Sequence, residues 1–317
     1  RLHGLEGATP VSLMIDPTPT PPDSPSKPDA ARKDVSTSPQ FLVAGVLLLL
    51  GILCVGFLVN LVFVSQLVHA RDQEVLYSDF RSELANAIAP VGQTDINGAL
   101  LTPGAAVAVI EIPDLGMREV VVEGTTSTVL ESGPGHKRDT VLPGQAGVSV
   151  IYGRQAAFGG PFGQLEILQP GTKIVATTGQ GTAEYEVTDV RRPGDPIPEP
   201  LVAGEGRLTL VTAMGPRFMP TDILRVDAAL VTEPQPAPPR VLTPAAMDPA
   251  EQAMAGDPAG LVPLLLWLQL MLVIVVGALW LALRWGRWQA WLVAAPAVFF
   301  VGIMASMSAI RLLPNLM

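Results

Sequence analysis

Residues 208–216 read LTLVTAMGP. Leu208 to Thr212 are all apolar or β-branched, and Met214, Gly215 and Pro216 make a turn signal. The stretch is therefore a buried strand that ends at Ala213 and opens into a loop. Runs of the same kind flank it. Val107–Ile112, Glu119–Glu123, Gly147–Gly153, Lys173–Thr178, Ala183–Val190, Arg207–Thr212 and Ile223–Val231 are β-branched or alternating, with Gly, Pro and Asp between them. Gly179-Gln180-Gly181 separates two of these as a hairpin turn, and Thr125–Ser132 and Phe162–Leu168 read as short helices. Short strands at this spacing specify a mainly β barrel or sandwich over residues 103–232.

Outside that region the chain is written for a membrane. Phe41–Val68, Leu261–Leu283 and Trp288–Ile310 carry no charged residue. Each exceeds the roughly 20 residues that cross a ~30 Å hydrocarbon core, and only helices or closed barrels satisfy their backbone there. Three transmembrane helices are expected at 41–68, 261–283 and 288–310. The first lies too far into the chain, and is too long, to be a cleaved leader. Arg32 and Lys33 ahead of it, and Arg284 and Arg287 in the 284–287 turn, place these ends in the cytoplasm. Residues from about 69 to 260, and the 311–317 end, then face outward.

The connecting segments differ in character. Residues 1–40 include DPTPTPPDSPSKPD and read as a disordered cytoplasmic tail with polyproline tendencies. In the stalk at 69–102, Leu76, Phe80, Leu84 and Ile88 form a stripe at i, i+4, so the first membrane helix should continue outward and stop before Pro90. That stripe needs a partner surface, from its own barrel or from another subunit. Residues 233–260, rich in Pro and Ala, should act as a semi-stiff spacer back to the membrane.

Charge and cysteine count exclude several function classes. A net charge of −9 lacks the basic footprint that nucleic acid demands. The single cysteine, Cys54, lies inside the first membrane run, where a thiolate is disfavoured, so it reads as a small apolar packing residue. No His/Cys/Asp/Glu spacing suggests a metal or other cofactor, and Glu184 and Glu186 read as a solvated strand face.

Five segments in fixed order resemble the sortases, in particular the class E and F type of high-GC Gram-positive bacteria. They are TPGAAVAVIEIPDLG (102–116), VVVEGTTSTVLESGPGHKRDTVLPGQAG (120–147), VSVIYGRQAAFGGPFGQLEIL (148–168), GRLTLVTA (206–213) and TDILRVDAAL (221–230). The resemblance implies an eight-stranded sortase-like β-barrel on a membrane-anchored helical stalk, with three transmembrane helices in total. It also implies a cysteine nucleophile, a histidine acid/base and an arginine that stabilises the oxyanion or positions substrate. The family's cysteine closes an L-T-L-x-T-C strand; Ala213 stands there. Its histidine position is held by Arg154, and its arginine position by Ile223, with Arg225 two residues on and on the same strand face. The chain therefore reads as a pseudo-sortase.

Other residues offer little replacement chemistry. Thr212 and Ser149 lie near the ancestral pocket, but a hydroxyl nucleophile needs an adjacent base. His3 is in the tail, His69 at the membrane edge, and His136, in the GPGH motif, reads as a loop-stabilising residue. Arg154, Arg225, Tyr152 and Thr212 are the candidate binding residues of a vestigial groove, the arginines suiting a carboxylate or an acidic peptide. In the third span, Gly302 with Ser306 and Ala305 with Ala309 permit close helix approach, and Pro296 permits a kink. Asn60 and Gln269 are polar groups that prefer a helical partner to lipid.

The expected function is an inactive accessory or structural subunit among other membrane proteins, for example in an ABC-type exporter or a surface-assembly machine. The alternatives are a module that binds peptides or lipoproteins in the vestigial groove, and a transpeptidase with a non-cysteine nucleophile.

Overall fold

A computed structural model describes residues 39–284 and 287–317. The tail expected at 1–40, apart from its last two residues, lies outside them, as do Trp285 and Gly286 of the expected turn. Helix α1 (Pro39–Val59) runs through one π-turn (Asn60–Val64) into α2 (Ser65–Ala85). Eight strands follow: β1 (Ala106–Ile112), β2 (Met117–Glu123), β3 (Gly135–His136), β4 (Gly147–Tyr152), β5 (Lys173–Thr178), β6 (Gly181–Arg191), β7 (Gly206–Met214) and β8 (Asp222–Leu230). Helices α3 (Leu261–Arg284) and α4 (Arg287–Arg311) complete the chain. Three helices are long and apolar enough to cross a membrane, at Leu47–Ala85, Pro258–Ala282 and Trp288–Arg311.

The strands close into a barrel in the order β1-β2-β3-β4-β7-β8-β6-β5. Seven of them coincide with the runs read from the sequence. The eighth, β3, is two residues of the GPGH motif that bridge Val122 and Glu123 of β2 to Ile151 and Tyr152 of β4. The short helices expected at 125–132 and 162–168 shrink to single 3₁₀ turns at Val129–Glu131 and Leu165–Ile167. The barrel interior is filled by Val107, Ile110, Ile112, Ile151, Ile174, Tyr185, Leu208, Leu210, Leu224 and Val226, among others.

Period-2 burial shows which strands are covered twice. In β6, Ala183, Tyr185 and Val187 are buried while Glu184 and Glu186 are exposed, as expected of a solvated outer face. Strand β1 is buried on both faces, because its outward Val109 meets Phe80, Leu76 and Leu84 of α2. The stalk stripe is thus satisfied by the chain's own barrel. Ile88 lies beyond the end of α2 and is exposed. Gln73 adds to this contact. Its side chain accepts from Val120 N at 2.7 Å and donates to Val120 O and Ser132 O at 3.1 and 2.8 Å, taking the place of a neighbouring strand for β2.

The linker expected as a spacer is tied along the barrel. Gln235 exchanges main-chain hydrogen bonds with Gly144 and Ala146. The Gln93 side chain accepts from the Val241 and Leu242 amides, and Glu251 pairs with Arg138 at 3.3 Å. Pro-rich sequence conceals this, because the anchors are isolated polar groups between prolines.

Within the membrane part, Asn60 donates to Ser306 Oγ of α4 at 2.8 Å, so one polar group expected to seek a helical partner finds it inside the chain. The π-turn coincides with this contact. Ser65, one turn on, accepts from Phe158 N of the loop after β4 at 3.3 Å. Leu61, Ala157, Phe158, Ile310 and Met317 form one apolar cluster there. The loop after β4 therefore rests on α1, α2 and the end of α4.

Candidate functional site

Strand pairing assembles the candidate residues on one outer face of the barrel. Tyr152 of β4 pairs with Val211 of β7, which pairs with Arg225 of β8, giving one row across three strands. One step along, Ala213 and Ile223 are direct cross-strand partners. Because side chains alternate, these five residues share the outward face, while Leu208, Leu210 and Thr212 point into the barrel. Gly153 continues the ladder, donating to Val211 O at 3.0 Å, and leaves Arg154 beside the row. A methyl group on Gly153 would lie 2.4 Å from the Phe162 ring, so that close approach requires glycine.

This face is covered. Ala213 is only 2% exposed. Leu130, Tyr152, Val211, Ala213 and Leu316 form one buried cluster, with Val150, Ile223, Ala253 and Met254 packed against it. Leu130 comes from the turn after β2, Ala253 and Met254 from the linker ahead of α3, and Leu316 from the segment after α4. The double cover explains why β7 reads LTLVTA, since a strand with an apolar neighbour on both faces loses its polar alternation.

The covering segments are held by a connected set of hydrogen bonds. Asn315, fully buried, donates from Nδ2 to Thr125 O and Gln252 O at 2.8 and 2.9 Å, and from its amide to Ala255 O at 2.8 Å. Gln155 N donates to Leu316 O at 2.8 Å. Arg311, at the end of α4, grips Glu131 through two bonds of 2.9 and 3.2 Å. Thr125 Oγ1 donates to Glu251 O at 2.6 Å.

Arg154 lies at the centre and is fully buried. Nη2 donates to Ser127 O and Oγ at 2.8 and 2.9 Å, Nε to Leu130 O at 3.2 Å, and Nη1 to Met317 O at 3.5 Å. The guanidinium stacks on Phe158, 4.9 Å from the ring centre. Phe158 has φ +50°, a costly conformation for a bulky residue that this packing enforces. Burial draws the guanidinium down to about 10, against an upward pull from Glu131. Arg154 is thus committed to carbonyl oxygens and an aromatic face, and presents no charge to a ligand. Arg225 is half-buried and makes no salt bridge among the described residues. Burial raises the Tyr152 phenol, Asp139 adds to this, and Arg225 and the Ala253 amide oppose it.

The remaining candidates are placed as follows. Thr212 and Ser149 are buried, and neither hydroxyl has a hydrogen-bond partner among the described residues. Thr212 points into the barrel, away from the Tyr152–Arg225 row. His136 is buried with Nδ1 2.8 Å from Glu123 and Nε2 2.9 Å from Val141 O, so it fastens β3 to β2 and to the following loop. His69 faces Glu119 at 3.1 Å on the stalk. Cys54 is exposed on α1. An open depression of about 770 Å³ lies toward the start of β7, lined in part by Glu199, Glu205, Arg207 and Asp227. The residues that sequence reasoning missed are Asn315, Leu316, Ala253 and Met254, whose signal is confined to an apolar tail and a Pro/Ala-rich linker.

Comparison with known proteins agrees with this barrel. Residues 110–220 match the family model for the sortase domain. Among solved structures, the chain is similar to a sortase D5 transpeptidase of Clostridium perfringens, with 25% identity over 52% of this chain and 99% of that one, and a TM-score of 0.41. Sortase E1 of Streptomyces coelicolor, with a tripeptide in its active site, shows 28% identity over 42% and 92%, and a TM-score of 0.36. A sortase E variant of Streptomyces avermitilis shows 30% identity over 48% and 100%, and a TM-score of 0.36. No curated protein matches the chain. On the family match across 110–220 and the closed eight-stranded barrel that contains it, the β domain of this chain is a sortase domain.

Proposed function

We propose that this sortase domain is catalytically inert and that the chain serves as a structural or accessory subunit in the membrane. One observation carries the reading. Where β7 ends, the chain offers the methyl group of Ala213, buried beneath Leu316, Ala253 and Met254. A transpeptidase of this family needs a thiolate, an acid/base and an open groove. The hydroxyl of Thr212, next in sequence, has no hydrogen-bond partner among the described residues, and arginine does not serve as a base at neutral pH. The groove acts instead as a joint. It receives the chain's own flanking segments, which lead directly into α3 and out of α4, and so fastens the barrel to the membrane hairpin. The barrel then faces outward and the N-terminus lies in the cytoplasm, following the positive charges at 32–33, 284 and 287.

Two measurements on the full chain in mild detergent test this. Incubation with sorting-signal peptides and a nucleophilic amine should give no cleavage or transfer, and turnover would overturn inertness. Affinity purification should recover other membrane proteins in fixed ratio, and recovery of this chain by itself would overturn the subunit role. A peptide-binding role would require the docked segment to leave the groove.

A further inference from the structure

Helix α3 presents one side to α4 and leaves the other bare. Trp267 meets Phe300 edge-on at 6.3 Å, and buried Met271 lies beside Gly302, so this side faces α4. At 100° per residue, Val262, Leu266, Gln269, Val273, Val276 and Trp280 fall together on the opposite side. All six are exposed. Their alternating spacing of three and four residues is the seam pattern of a packed helix pair.

Gln269 sits at the centre of that seam, about 12 Å along the helix from Leu261. Its carboxamide makes no hydrogen bond among the described residues. Among the described residues, three other polar groups of the spans have partners, Asn60 in Ser306, Ser65 in Leu61 O and Ser308 in Met304 O, whereas Gln66, two residues from the end of the first apolar run, has none. In lipid an unpaired amide is costly, and a glutamine at this depth is too short to reach the interface.

We propose that the Gln269 face of α3 is a helix–helix interface and that its occupant is α3 of a second copy of this chain. A carboxamide carries both a donor and an acceptor, so two identical groups can satisfy each other across a two-fold axis. Two copies share one orientation in the bilayer, so their α3 helices run parallel and Gln269 meets Gln269 at equal depth. The helix of a different protein would have to carry its own polar group at the matching position.

The test uses the full chain in native membranes with Cys54→Ser as background. Val273→Cys and Val276→Cys, each alone, should form disulfide-linked dimers under a membrane-permeant oxidant. Phe299→Cys, exposed on α4, should not. Adding Gln269→Leu should weaken dimerisation roughly threefold to thirtyfold, the range of membrane hydrogen-bond couplings. Subunit counting by photobleaching of the labelled full chain in vesicles should give two, independently of any cysteine. Cross-links to a different protein at Val273→Cys, equal dimer yield from Phe299→Cys, no response to Gln269→Leu, or a count of one would each overturn the proposal.

Discussion

Removing the Leu316 side chain should reopen the covered face of β7, and the structure sets the size of the effect. Leu316 is fully buried against Leu130, Tyr152, Val211 and Ala213. Truncation to alanine in such a site costs about 2–3 kcal/mol when a short segment can partly relax. That free energy falls on the docking of residues 312–317 rather than on the barrel core, which the segment does not enter. The fraction of molecules with the groove open should therefore rise roughly 30- to 150-fold. The reporter is Ala213→Cys in a Cys54→Ser background, read as the rate of maleimide labelling of the full chain in detergent. When opening and closing are fast, that rate follows the open fraction. With Leu316 intact, Ala213→Cys should label far more slowly than Val202→Cys on an exposed loop. Leu316→Ala should accelerate it by the stated factor and leave Val202→Cys unchanged. Equal rates at the two cysteines, or no response to Leu316→Ala, would refute the view of the groove as a filled joint.

Gly256→Ala should act in the same assay without touching the groove, because its new methyl group would lie 2.5 Å from the Leu312 carbonyl and push the segment away; an unchanged labelling rate would contradict the packing. His136→Ala should destabilise the barrel by about 3–5 kcal/mol in denaturant unfolding, since it strands the buried carboxylate of Glu123, and a loss below about 1 kcal/mol would show that Glu123 has another partner. Burial pushes the Tyr185 phenol up to about 12. Between its unfolded value near 10 and that point the unfolded chain loses a proton that the folded chain keeps, so stability should fall as pH rises through this window. Ultraviolet titration should show a late phenolate step that Tyr185→Phe abolishes, and a step that persists in the variant would assign it elsewhere.

What could be read in the sequence follows a physical boundary. Strands with a solvated outer face, such as β6, announce themselves by alternation, and those covered twice, such as β1 and β7, by unbroken apolar runs. Strand β3 has only two residues and no periodicity to show. That Ala213, Arg154 and Ile223 stand where the resemblance implies a cysteine, a histidine and an arginine is a statement about sequence alone. The filling of the groove was not legible there, because Leu316 reaches Ala213 across roughly a hundred residues and two membrane helices, and chain entropy hides such pairs from any local pattern. Arg154 illustrates the same limit. Its charge suggested a ligand, but Leu130, Ser127 and Phe158 surround it, and only the fold brings them together. Asn60 and Gln269 looked alike in sequence, and the fold gives one a partner in Ser306 and the other none among the described residues.

The helical run that starts with α1 continues as α2 to Ala85, interrupted by the single π-turn at Asn60–Val64. From residue 48 it is roughly 57 Å long at 1.5 Å per residue. The barrel is pinned to it through Gln73 and Phe80, and to α4 through Arg311 and Leu316. Because the barrel is held at both places, any tilt of α2 against α4 would load the packing around Leu316.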